Sequence, residues 1–245
     1  MRYPDQHAQC EDMTVEELIE KGLTSKLAWA VSAGRMTWSD AVARMAVEDK
    51  ANGLMKKYTI SRSLAIQVAM GEAELVPFLK RRSLNAYRKS NENRSVWDEY
   101  CENGEALLIA TVGGKFHTVH VKDVGQYDVS MIDENDVVFS VSKLSVKYAY
   151  SPEHKDLVRK LIRRDSTYVE KGSLPDKRPQ NRFHLHDELL MLAIKRSALL
   201  KMKLCEGEAL RAPVQWFSRF EFSVDVGDGA SMVVFRHALT AGRVL

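Results

Sequence analysis

The sequence predicts an α+β multidomain protein. A small helical bundle covers residues 1–94. Two β modules follow, at 95–150 and 183–245, each a helix with a bent five-stranded antiparallel barrel, joined by a basic helical linker over 151–182. Three observations predict this. Apolar residues recur at three-to-four spacing as far as residue 90. From residue 104 onward, Val, Ile, Thr and aromatic residues fall in short runs cut by Gly and Asp. The turn-and-aromatic pattern of the first module then returns in the second.

The elements can be justified in order. Thr14 with Glu17 forms a capping-box pattern ahead of "TVEELIEKGL". "SKLAWAVSAGRM" and "TWSDAVARMAVEDKANGLMKKY" continue as helices, and "SRSLAIQVAMGEAELVPFLKRRSLNAYRKS" adds one or two more, with Gly71 as a break. The turn inside "MKKYTISRSLAIQVAMG" could serve a helix-turn-helix, which would make the protein a DNA-binding regulator. Next, "EALLIATVGGKFHTVHVKDVGQYDVSMIDENDVVFSVSKLSVKYAY" reads as short strands, with turns at Gly113-Gly114, Asp123, Gly125 and Asp133–Asp136. Ser151-Pro152 opens a helix over "EHKDLVRKLIRRD", and "GSLPDKRPQNR" reads as loop. His186 or Asp187 opens the helix "ELLMLAIKRSA", and five short strands follow to residue 245.

Composition narrows the function class. Hydrophobic residues are 45% and charged residues 28%, the balance of a globular chain rather than a disordered one. A net charge of +3 names no partner, but its distribution does. Two basic stretches, 77–94 and 151–182, flank an acidic module, a pattern suited to a polyanion. Cys10, Cys101 and Cys205 are too far apart for metal-ligand spacing and fit a reducing compartment; with no apolar signal core at the N-terminus, a cytoplasmic protein is expected. His184 and His186 lie two apart but lack further ligands, so neither a metal nor another cofactor is expected. No phosphate loop, serine elbow or zinc-hydrolase motif occurs, and an enzyme is not expected.

The second module carries a resemblance. "LAIKRSALLKMKLCEGEALRAPVQWFSRFEF", with a turn glycine at Gly207, and "VVFRHAL" near the end resemble the bacterial Sm-like RNA chaperone family (Hfq-like) over residues 186–245. "VVFRHAL" stands where that family has Tyr-Lys-His-Ala-Ile. Residues 104–150 resemble the same family more weakly: Gln126-Tyr127 replaces Gln-Phe, and "FSVSKLSV" has lost the base–His pair. No family resemblance covers residues 1–94.

The resemblance implies edge-to-edge rings. Two modules per chain then imply a homo-oligomer of three chains in a pseudo-hexameric ring. It also implies a post-transcriptional regulator or RNA chaperone that takes U-containing single-stranded RNA on its helix-bearing face. By position, Phe220 would stack on a base, with Phe235 near the pocket. Arg236 and His237 would bond the base edge, ribose or phosphate. His186 and Arg219 stand where the family has glutamines. Lys195 and Arg196 are a partial basic rim, and Tyr127 and Gln126, with Lys143, are weaker contacts in the altered first module. Aromatic stacking is worth about 1–3 kcal/mol per base, and arginine forks onto phosphate or carbonyl oxygens. An alternative is a ring scaffold that binds proteins, not RNA, with a protein partner on residues 1–94.

Overall fold

A computed structural model describes residues 13–164, 175–176 and 178–245. Cys10 and the middle of the expected basic linker lie outside the described residues. The chain divides into two compact units, one ending at Arg81 and one running from Arg82 to Leu245.

The first unit is helical. Its helices are α1 (Val15–Glu20), α2 (Ser25–Ser32), α3 (Trp38–Tyr58), α4 (Arg62–Met70) and the start of α5 (Leu75–Ser90). The expected Thr14–Glu17 capping box is present, each side chain bonding the other's backbone N–H. Leu18, Leu23, Leu27, Ala28, Val31 and Ala41 form one small core, and Ala51, Ile60 and Ala65 form another. α3 ends at Thr59 in the left-handed region, and Ser61 caps α4 by accepting from the Leu64 amide.

The second unit holds α6 (Val96–Asn103), β1 (Ala106–Thr111), β2 (Phe116–Val124), β3 (Asp128–Asp133), β4 (Val138–Ser142) and β5 (Val146–Tyr150). It continues with α7 (Lys155–Leu161), β6 (Arg163–Arg164), α8 (Asp187–Arg196), β7 (Leu199–Leu204), β8 (Glu208–Phe217), β9 (Glu221–Gly227), β10 (Ala230–Phe235) and β11 (Leu239–Val244).

The repeat is closer than the turn pattern alone suggests. Helix, five strands and a 3₁₀ turn before the last strand recur at one constant spacing, the spacing that separates Lys143–Ser145 from Arg236–Ala238. That spacing carries the helix C-cap Gly104 (φ 66) onto Ser197 (φ 49), both left-handed, and the turn Gly114 (φ 71) onto Gly207 (φ 80). The Lys143 amide donates to the Tyr127 carbonyl at 2.8 Å, and the Arg236 amide to the Phe220 carbonyl at 2.9 Å.

The strands of the two modules form one open antiparallel sheet in the order β11-β7-β8-β9-β10-β5-β1-β2-β3-β4, with β6 alongside β8. The joint is β10 on β5, with Met232 opposite Tyr150, Val233 opposite Ala149 and Val234 opposite Tyr148. Each half lends one edge strand to the other. The segment after Tyr150 carries the expected helix, α7, and packs on the rest of the unit. Val158 of α7 is buried in the main core, and Arg163-Arg164 pair with Ala209 and Glu208. Leu84 and Tyr87 of α5 also pack on this core, so the second unit begins upstream of residue 95.

The joint also carries a buried charge cluster. Lys147 of β5, 1% exposed, is paired with both Glu206 of the β7–β8 turn and Glu208 at the start of β8. Glu206 in turn accepts from the Gly113 amide at 2.5 Å. Burial pushes the Glu206 carboxyl up, but the Lys147 ammonium and the Gly113 amide outweigh this and hold it below its ordinary value.

Candidate nucleic-acid interface

The candidate residues of the second module are set by two tight segments, the turn after β8 and the 3₁₀ turn after β10. Phe220 sits at the tip of the first and is 67% exposed, an unusual place for a large apolar ring. The Arg219 guanidinium lies over its face, 5.1 Å from the centroid. The amide-to-carbonyl bond from Arg236 to Phe220 ties the two turns together.

Arg236 is less free than its sequence position suggests. Its Nη1 donates to Asp187 Oδ1 at 2.6 Å and reaches the Leu185 carbonyl at 3.4 Å. Asp187, at the start of α8, also accepts from Arg88 Nε at 2.6 Å. Burial raises the Asp187 carboxyl, but the two guanidiniums override it and hold it below the ordinary carboxylate range. Arg236 retains Nε and Nη2 buried and without a hydrogen-bond partner. The three N–H bonds on these two nitrogens are thus left unpaired, which is costly in a buried place.

His237 is at a junction, but one within the chain. Its Nε2 lies 2.8 Å from the Val146 carbonyl of β5, across the β10–β5 joint. Burial pushes its pKa down to about 4, against the effect of the Val146 bond. The imidazole is therefore neutral at physiological pH and contacts a ligand only as a hydrogen-bonding group.

Phe235 is corrected outright. It is 2% exposed and stacks on Trp97 of α6 at 5.1 Å between centroids, so it is core, not a surface contact. Its strand face is covered by a helix of the other module, which strand alternation alone cannot show.

The other candidates are spread out. His186 is the exposed N-cap of α8, edge-on to His184 at 4.9 Å. Lys195 and Arg196 are exposed in the last turn of α8, at the helix end away from Asp187, and Lys195 donates to Ser83 at 3.1 Å. Tyr127, 72% exposed, occupies the first module's equivalent of Phe220, and Gln126 donates to its hydroxyl at 3.2 Å. The structure thus brings Phe220, Arg219, Arg236 and the start of α8 together, and leaves Tyr127 and Gln126 on the other module.

Sequence reasoning passed over three residues. Asp187 clamps Arg236, and its only sequence signal was a helix-capping acid. Trp216 lies beneath the Arg94 guanidinium at 4.1 Å. Glu221, directly after Phe220, is 2% exposed and accepts from the Val96 amide at 2.7 Å. Burial raises its pKa to about 7; the Val96 bond and Lys143 oppose this, and Asp98 and Glu99 add to it. Among the described residues no cluster of His, Cys, Asp and Glu could hold a metal, and no helix is long and apolar enough to cross a membrane.

No protein-family model matches this chain, and no curated protein matches it.

Proposed function

We propose that this chain is a two-module Sm-like protein that binds U-containing single-stranded RNA through the turns of its second module, and acts as a post-transcriptional regulator or RNA chaperone. One observation carries the reading. An exposed aromatic ring, Phe220, is anchored beside an arginine whose Nε and Nη2 are buried without acceptors. An unpaired base offers a face for the ring, and the unmet N–H groups of Arg236 favour its guanidinium turning outward to the base's oxygens on binding. Neutral His237 supplies a hydrogen-bonding group next to it, and Arg219 and His186 border the site. Three chains in a six-module ring would present three such sites, alternating with three altered ones around Tyr127.

The test is titration of a short fluorescent oligo-U. Phe220→Ala should weaken binding about 5- to 150-fold, as expected from losing one base stack of about 1–3 kcal/mol. Binding should also weaken steeply as salt is raised. Equal affinity of wild type and Phe220→Ala would remove the proposal.

A second reading has its own support. Arg236 is already held by Asp187 and His237 by Val146, as in a joint built only for assembly. On that reading the chain is a ring scaffold without RNA. The ratio of absorbance at 260 nm to that at 280 nm in purified protein, before and after nuclease, separates the two.

A further inference from the structure

Trp216, Ser223, Val233 and Ala149 lie opposite one another across β8, β9, β10 and β5, so their side chains share one face of the sheet. Ser223 and Ala149 are short, and a recess of about 160 Å³ opens over this row. Its other wall is α6, where Val96, Glu99 and Tyr100 share one helix face at i, i+3 and i+4. The recess is well below the roughly 300–1,000 Å³ of sites for drug-sized ligands. It suits a molecule the size of a free amino acid.

A β-bulge aims polar groups into it. Val214 is opposite Val224 but Trp216 is opposite Ser223, so Gln215 is the extra residue and joins Trp216 on the recess. The Ser223 hydroxyl donates to Gln215 Oε1 at 2.8 Å, which leaves the Gln215 amino group to donate. The Arg94 guanidinium lies over the Trp216 ring at 4.1 Å. Stacking uses its flat face, so its N–H edge can fork onto a carboxylate. At the α6 wall the field reverses. Burial raises the Tyr100 phenol, and the Glu99, Glu105 and Glu153 carboxylates add to the rise. Among the described residues neither Arg94 nor Glu99 has an ion-pair partner, although both line the same recess.

We propose that this recess binds a free α-amino acid with an apolar side chain, its carboxylate on Arg94 and the Gln215 amino group, its ammonium on Glu99 and the Tyr100 hydroxyl. The side chain then lies on the apolar lining of Val96, Trp216 and Val233. A bare anion meets Glu99 and a bare cation meets Arg94, so the site selects both charges in one small molecule. None of the lining residues belongs to the Phe220–Arg236 turns, and the proposal does not rest on RNA contact. The ligand would touch both modules, α6 of the first and β8–β10 of the second, and so stabilise the chain that binds it.

Isothermal titration and thermal unfolding of the full chain with L-leucine test it. L-leucine should bind and raise the melting temperature. N-acetyl-leucine keeps only the carboxylate and leucinamide only the ammonium. Each should bind at least about ten-fold more weakly, the loss expected for one charge-assisted contact. Glu99→Gln should weaken L-leucine by a similar factor and leave N-acetyl-leucine no weaker. Arg94→Gln should weaken L-leucine and leave leucinamide no weaker. Both side chains are exposed, so neither change should disturb the fold. No binding of L-leucine, or equal binding of the three compounds, would overturn the proposal. So would a Glu99→Gln protein that takes L-leucine as tightly as wild type. RNA is absent throughout, so this result and that of the oligo-U titration are separate.

Discussion

At the scale of single residues, two buried ionisable groups lie beside the candidate site and pull stability in opposite directions. His237 has its pKa lowered from 6.5 to about 4 by burial, so the unfolded chain binds more protons between these values and stability is lost as pH falls from 6.5 toward 4. Glu221 has its pKa raised from 4.5 to about 7, chiefly by burial. Its unfolded form ionises first, so its contribution is present below 4.5 and is lost as pH rises toward 7. Each shift corresponds to roughly 3 kcal/mol, so the two slopes should nearly cancel between pH 4.5 and 6.5. Urea midpoints should be flat in wild type over that range. Glu221→Gln should become less stable as pH falls, and His237→Asn less stable as pH rises. Parallel profiles for all three proteins would refute the assignment.

At the scale of elements, α6 is the piece that makes a module face interior. Ser95 caps it by accepting from the Trp97 amide at 3.2 Å, and Asp98 and Glu99 favour its positive N-terminus. Its buried pair, Val96 and Trp97, lies against Phe235 at the end of β10, so a helix of the first module covers a strand of the second. Glu221 reinforces the same contact through the Val96 amide. Trp97→Ala should therefore destabilise by about 3–5 kcal/mol in urea unfolding, the range for a large buried aromatic. It should also expose Phe235 to solvent, and a loss below 1 kcal/mol would show that α6 is not packed there.

At the scale of the whole molecule, the Lys147–Glu206–Glu208 cluster locks the two halves of the sheet. Removing only the cation leaves two carboxylates without their partner, so Lys147→Met should cost about 3–5 kcal/mol. Lys147→Met combined with Glu206→Gln and Glu208→Gln should recover most of that loss, because no buried charge then stands alone. Thermal or urea unfolding of the two variants checks this. A triple variant as unstable as the single one would mean that the cluster's charges are not what matters.

Much of this protein was legible in its linear order because the signals are local. Caps such as Thr14 and Ser61, helical spacing, the turns at Gly114 and Gly207, and the matched Tyr127 and Phe220 each depend on a few neighbouring residues. The exposed placement of Phe220 also follows from a tight turn that gives its ring nothing to pack against. Other features depend on partners distant in the chain. Phe235 is interior because Trp97 reaches it from another module. Arg236 is held because Asp187 begins a helix beside it. His237 is neutral because burial disfavours its charged form, and the two modules share one sheet because β10 pairs with β5. The sequence by itself determined the element types, the turns and the repeat, since backbone preference and periodicity act over one or two turns of chain. Tertiary structure alone decided which faces are buried and which charges are paired, because burial and desolvation are set by whatever packs against a residue.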